Sequence, residues 1–309
     1  MNGVLIVDKP AGWTSHDVVN RLRRILGQRA VGHLGTLDPL ATGVLPLVIG
    51  SLTRLAQFYT TSAKAYEGVI RFGFATDTYD AEGESAAPAQ AVSLSLGQVR
   101  ELAAGFLGTI EQMPPPFSAK KIHGVPAYKL ARKRKEVVLQ PVQVKVEEFE
   151  ILGVEGDRAR FRARVASGTY MRSVAHDMGQ RLGCGAHLEA LRRTAVAEFT
   201  IAAAHTIEQI EAAASSHQVE ELFVHPRELL PQLPSVTADE ANAARIRSGR
   251  PVNLPELSRA PQVKVFQGQR ELIAIATRVA GTLFHPKFVL VCGADNPLGK
   301  LGAGSARRN

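Results

Sequence analysis

Cysteine is nearly missing. Cys184 and Cys292 are the only two in 309 residues, and neither belongs to a Cys-x-x-Cys pair. So placed, they suggest neither a zinc site nor a disulfide framework, which suits a reducing cytosol. Long apolar runs are missing too. No stretch reaches the roughly eighteen residues that a bilayer span needs. The apolar run after Met1-Asn2-Gly3 stops at Asp8-Lys9, too short and with the wrong flanks for a signal peptide. The His-x-Glu and Pro-Cys-x-x-Cys pair of zinc deaminases is absent. No Gly-x-Gly-x-x-Gly follows a strand, and the run from Gly293 to Lys300 has one residue too many for a phosphate loop and no Ser or Thr after Lys300.

What is present is ample apolar content, 45% of the chain, enough for one large or two ordinary domains. Lysine plus arginine outnumber aspartate plus glutamate by 37 to 29, a formal charge of +8. That balance fits a polyanionic partner, nucleic acid first among them, and equally fits plain solubility charge.

Along the chain, residues 3–7 read as a short buried strand, and Thr14 or Ser15 can cap a helix whose apolar face holds Val18, Val19, Leu22, Ile25 and Leu26. Residues 66–74 alternate as a strand. Residues 76–83, Thr-Asp-Thr-Tyr-Asp-Ala-Glu-Gly, read as an acidic surface turn, and Ser95 caps a further helix. Residues 112–141 crowd Lys120, Lys121, Lys129, Arg132, Lys133, Arg134 and Lys135 among Phe117, His123 and Tyr128, a composition that suits tracking a phosphate backbone. Arg158, Arg160, Arg162 and Arg164 alternate with Ala159, Phe161, Ala163 and Val165, which aligns four cations on one sheet face. That row reads equally as an RNA contact or as a wet surface. Thr169 can cap a helix running to Gly183. A domain boundary is expected near residues 230–236, with strand-like runs after it at 263–266, 272–279 and 284–291.

One stretch stands apart, Gly32-His33-Leu34-Gly35-Thr36-Leu37-Asp38-Pro39-Leu40-Ala41-Thr42-Gly43-Val44-Leu45-Pro46. Three glycines and two prolines in fifteen residues make it an irregular loop running into an apolar strand. Pro39 biases Asp38 toward an extended backbone. A lone carboxylate held there serves as a nucleophile or base, or simply forms an Asx turn on its own backbone.

This stretch resembles the catalytic loop of the TruB family, the tRNA pseudouridine-55 synthases. Three further segments fall in the family's order: Pro115 to Arg132, Ser167 to Ser173 and Ala186 to Thr194. The resemblance implies an α+β pseudouridine synthase fold, with a mixed, largely antiparallel central sheet and helices over residues 1–232. It implies an RNA-binding thumb insertion at about 112–141. A small C-terminal β-barrel, a PUA-like RNA-binding domain, would occupy 233–309, with a mobile tail from about 293.

By the same resemblance, Asp38 is the catalytic nucleophile and Arg172 its cationic partner. Tyr66 stacks on the base near the late proton, and Tyr170 lines the pocket. Core packing with a satisfied hydroxyl is the plainer reading of both tyrosines. Leu191 packs on the target base, and His33 fills the space that the flipped uridine leaves. Lys9 belongs to the substrate-binding region and supports the active site, and Lys133 and Arg134 of the thumb grip RNA. Phe117 stands where a tyrosine is common. The implied partner is the T-arm of tRNA, with no membrane and no obligate protein partner, and the chain is expected to be a cytoplasmic monomer. No cofactor and no metal are implied. Two other readings stay open: a non-catalytic tRNA-binding or folding protein, and a guide-RNA-dependent relative.

Overall fold

The computed structural model describes residues 1–85, 87–117, 121–122, 125–126 and 139–290. Lys133 and Arg134 of the expected thumb, and the tail from about 293, lie outside them. In chain order the strands of the first part are β1 (Gly3–Lys9), β2 (Val31–His33), β3 (Thr42–Ile49), β4 (Lys64–Phe72) and β5 (Gly108–Gln112). The two-residue β6 (Lys121–Ile122) and β7 (Val125–Pro126) follow, then β8 (Val142–Glu155), β9 (Arg158–Val165), β10 (Ala186–Val196) and β11 (Phe199–Thr200). Nine of them form one sheet in the order β1-β3-β10-β4-β9-β8-β5, with β2 added to β3 and β11 to β10. Pairing in this sheet is antiparallel except between β3 and β10, which run parallel at Arg192–Thr42 and Arg193–Gly43.

Alternation decides which face each strand buries. In β1, Leu5 and Val7 point into a core roofed by the helices Ser15–Ile25, Leu96–Ala104, Met171–Leu182 and Ile207–Ser215. Val4 and Ile6 point the other way, into a second core with Val44, Val48, Leu52 and Leu55. Buried on both faces, β1 and β3 read as unbroken apolar runs. β9 has one wet face, so its arginines alternate cleanly with Ala159, Phe161, Ala163 and Val165. Two helix starts follow their local signals. Thr14 and Ser95 each accept from the third helical residue in reciprocal capping boxes with Asp17 and Gln98.

Residues 235–290 form a curled five-stranded sheet, a half-barrel. Its strands are β12 (Ser235–Ala238), β13 (Val252–Asn253), β14 (Gln262–Gln267), β15 (Glu271–Ala280) and β16 (Leu283–Val289), in the order β12-β14-β15-β16-β13. With the helix Glu240–Arg247 it encloses a core of its own around Val263, Ile273 and Phe284. It is also fused to the first part, because Phe266, Leu272, Ile275 and Leu290 belong to the same apolar cluster as Val4, Ile6 and Val44. Among the described residues no helix is long and apolar enough to cross a membrane.

Two local expectations need correction. The N-cap of the helix Met171–Leu182 is Tyr170, not Thr169, whose hydroxyl is buried with no partner among the described residues. The 76–83 segment does turn at the surface, with Asp77, Ala81 and Glu82 exposed, but Thr76 and Asp80 are buried. Tyr79 and Ala81 exchange backbone hydrogen bonds with Leu188 of β10, and the Thr78 hydroxyl donates to the Asp80 carboxylate at 2.5 Å. The acids suggested exposure, but a cation far along the chain draws one of them inward.

Candidate active site

The loop between β2 and β3 is fixed from several sides. The Ser15 hydroxyl accepts from the Leu37 N–H at 2.8 Å and donates to its carbonyl at 3.1 Å. The Pro39 carbonyl accepts from the Gly12 N–H at 2.9 Å and from the Lys9 ammonium at 3.2 Å. Lys9 is fully buried, and its other two donors go to the carbonyls of Pro10 and Trp13. Burial lowers its pKa to about 8 against the pull of Glu82 and Asp38.

Beneath the loop lies Arg193, also fully buried. Its guanidinium donates to Val44 O at 2.8 Å, Thr36 O at 3.2 Å and Gly35 O at 3.1 Å, so one side chain clasps both arms of the loop. Its backbone presses as closely. Gly43 has φ +96°, and a Cβ there would fall 2.2 Å from the Arg193 carbonyl oxygen, so only glycine fits.

Held this way, Asp38 directs its carboxylate to Arg172. Nη2 donates to Oδ1 at 3.2 Å and Nε stands 2.9 Å from Oδ2. The loop does turn at Asp38, but through the backbone, from Ala41 N–H to Asp38 O at 3.1 Å. The side chain is therefore left for the guanidinium. Arg172 is nearly buried and ties three segments together. It also donates to the carbonyls of Thr78 at 3.1 Å and Phe117 at 2.9 Å, and its Nη1 lies 3.4 Å from the Asp80 carboxylate. Burial raises the Asp38 pKa, Arg172 opposes the rise, and Asp80 adds to it. Two carboxylates thus compete for one cation.

A cleft of about 260 Å³ opens over this pair, lined by Thr36, Leu37, Asp38, Lys64, Tyr66, Gly168, Thr169, Tyr170, Met171, Arg172 and Leu191. Five of the residues expected at the site, Asp38, Tyr66, Tyr170, Arg172 and Leu191, therefore meet in one place. Tyr66 is buried on β4. Burial raises the pKa of its hydroxyl, while the neighbouring Arg193 guanidinium works against the rise. Tyr170 is aimed by Gln112, which accepts from its backbone N–H at 2.9 Å and donates to its carbonyl at 3.1 Å. The Ser173 hydroxyl pins the same helix start to Met113 O at 2.7 Å.

His33, on β2, does not line this cleft. Its Nδ1 is buried without a partner among the described residues, and burial first, then Arg193, lowers its pKa. Both effects favour the neutral ring. Lys9 sits under the loop, and Lys133 and Arg134 lie outside the described residues. The arginine row of β9 is matched by acids: Arg158 with Glu189 at 2.8 Å, Arg160 with Glu155 at 3.4 Å, Arg162 with Glu150 at 2.6 Å and Arg164 with Glu147 at 2.9 Å.

Reading the sequence missed Asp80, Arg193, Lys64 and Gln112. Parity offered a signal for two of them. Arg193 shares a strand face with Leu191, and Lys64 shares one with Tyr66. Among the described residues no cluster of His, Cys, Asp or Glu fits a metal ion.

Comparison with known proteins gives the family. Residues 23–171 match the model of the TruB family pseudouridylate synthase N-terminal domain, and residues 172–231 match that of the tRNA pseudouridylate synthase B C-terminal domain. The tRNA pseudouridine synthase B of Solibacter usitatus is 50% identical over 293 residues, covering 94% of this chain and 100% of the relative. That of Bacillus cereus is 39% identical over 294 residues, covering 93% of this chain and 94% of the relative. Among solved structures, a chain of a Cbf5-Nop10-Gar1 complex superposes with a TM-score of 0.69 at 24% identity, covering 94% of this chain and 85% of that one, a likeness of fold.

Proposed function

The chain belongs to the TruB family of pseudouridylate synthases, and from that premise we propose that it isomerises the T-loop uridine at position 55 of tRNA with Asp38 as the nucleophile. The enzyme is a tRNA pseudouridine synthase, an isomerase. In this reaction the N1–C1′ bond breaks, a C5–C1′ bond forms, and the C5 proton is lost to solvent while N1 gains one. Nothing is oxidised or reduced.

The observation that carries the assignment is the Asp38–Arg172 pair on the cleft wall. A carboxylate that attacks must stay ionised where water is scarce, and a guanidinium in contact offsets the cost of that environment. Attack at C6, attack at C1′ and assistance to a glycal all require the same ionised group. Tyr66 stacks on the uracil with its hydroxyl near the late C5 proton, its phenol pKa raised by burial while the Arg193 charge opposes the rise. Leu191 packs on the base, and Tyr170 closes the pocket. A stacked uridine must leave its loop at a cost of about a few kcal/mol. The neutral His33 ring moves into the gap, and the thumb's Lys133 and Arg134 hold the backbone.

Asp38→Asn is the test. Pseudouridine formation in an unmodified transcript should vanish while the fold and tRNA binding persist. A folded Asp38→Asn protein that isomerises uridine near the wild-type rate would return Asp38 to a turn residue. Purified protein with bare transcript separates the other readings. A guide-dependent enzyme would leave the transcript unmodified until guide RNA is supplied, and a binding protein would leave it unmodified throughout.

A further inference from the structure

We propose that Lys64 is a phosphate contact of the catalytic cleft, binding the backbone of the substrate RNA where the target nucleotide enters. This rests on the RNA-modifying reading above. Lys64 opens β4 two residues before Tyr66, so both side chains leave the same face of the sheet and line the cleft together. Its stem runs along the catalytic loop, since a Cβ on Gly35 would sit 3.4 Å from Lys64 Cε. Its ammonium donates once, to Ser62 O at 2.8 Å. An ammonium has three donors. Among the described residues the other two meet no protein acceptor, and no carboxylate lies within ion-pair distance.

Lys9 makes the contrast. Burial lowers both lysines to about 8. Lys9, however, spends every donor on carbonyls that fix the loop, so the structure explains its burial. Lys64 is instead set against a second cation, Arg193, which lowers its proton affinity further. The other charged or titratable groups of its surroundings are Asp38 on the loop, Tyr66 on its own strand, and Tyr170 and Arg172 on the helix. Its register neighbours on β9 and β10 are the apolar Val165 and Val196. An ammonium with two donors to spare beside a second, fully engaged cation is disfavoured in the free chain and fits an anion. A nucleotide entering the cleft brings its phosphate with it, and an ammonium pairs with phosphate as a point charge.

The sign of the pH effect follows. A phosphate favours the charged ammonium, so the pKa of Lys64 rises when RNA binds, and above pH 8 binding takes up a proton. From pH 7 to pH 9 this one group should weaken affinity about tenfold.

The test measures binding of an unmodified tRNA transcript by the full chain, for wild type, Lys64→Gln and Lys64→Arg. Lys64→Gln should bind about tenfold more weakly at pH 7, with a log–log salt slope shallower by about 0.9 and without the extra loss at pH 9. Lys64→Arg should keep the salt slope and lose the pH dependence. The thermal midpoint of Lys64→Gln should not fall, because the lost charge was repelled by Arg193. Wild-type affinity and slope in Lys64→Gln would overturn the proposal, as would a thermal midpoint that falls in step with affinity. Tritium release from the C5 position of the same transcript, run in parallel with wild type, keeps the two readings apart. Release with an unaffected Lys64→Gln defeats the phosphate contact alone, and no release defeats the pseudouridine assignment itself.

Discussion

Two groups of cations divide this molecule. The arginine row of β9 is evenly spaced and exposed beyond the half-buried Arg158, and each member meets a glutamate. Arg172, Arg193, Lys9 and Lys264 are buried, scattered along the chain, and held largely by backbone carbonyls. The row contributes little net field, because an exposed ion pair in water is worth about 0–1 kcal/mol and cancels its own charge at a distance. The buried group does the organising. A buried cation seeks every acceptor in reach: those of Arg193 belong to the loop around Asp38, while those of Arg172 tie that loop to the segments of Thr78 and Phe117. A count of basic residues points to the first group. The location of carbonyls in space points to the second.

The largest effect should come from Arg193→Gln. It removes the donors to Gly35, Thr36 and Val44 and leaves buried carbonyls unpaired at about 1–3 kcal/mol each. Relief from burying a charge offsets part of this, so urea unfolding should show a net loss of about 3 kcal/mol. Turnover should fall about a hundredfold as Asp38 loses its setting. A loss under 1 kcal/mol with normal turnover would place Arg193 with the row. Lys264→Met should come next. It takes donors from Arg227 O at 2.8 Å and Leu229 O at 2.6 Å, where the chain crosses into the half-barrel, and should cost about 2 kcal/mol.

Asp80→Asn sharpens the comparison within the site. Asp80 raises the Asp38 pKa and shares Arg172 with it. Asp38, with its folded pKa raised, gives stability that is present at low pH and lost as pH rises through that folded value. As the proposed nucleophile it acts ionised, above that value. Asp80→Asn should therefore shift the acid limb of kcat/KM to lower pH, while kcat falls because Arg172 has lost one of its anchors. An unmoved limb would show that Asp80 only packs the turn.

These residues also mark what the sequence disclosed. β9 was legible because one wet face imposes a period of two, and the caps at Thr14 and Ser95 because their partners lie three residues away. The loop around Asp38 was legible as an irregular segment through its glycines, prolines and single acid, arranged in a pattern that resembles a family. Asp80 was not, since among acids that read alike as solvent-seeking it alone turns inward, where Arg172 lies beside it. Arg193 was hidden because two adjacent arginines after Leu191 look like surface charge. Strand parity puts only one of them under the loop, while Arg192 pairs with Asp8 at 2.7 Å. Tyr170 took the cap position from Thr169 because Gln112, far off in sequence, holds its backbone on both sides.

The smallest effect should come from the row itself, and it needs a paired substitution to be read. Arg162→Gln alone would uncover Glu150 and repel RNA even if Arg162 never touched it. Arg162→Gln with Glu150→Gln leaves the net charge unchanged and removes an ion pair of 2.6 Å between two exposed side chains. Stability should change by no more than about 0.5 kcal/mol, and the tRNA affinity and salt slope should match wild type. If Arg162 instead leaves Glu150 for a phosphate in the complex, the double variant loses a counterion-releasing contact, and its log–log slope becomes shallower by about 0.9. That result would make the row part of the RNA surface and leave burial a poor guide to which cations of this chain meet the substrate.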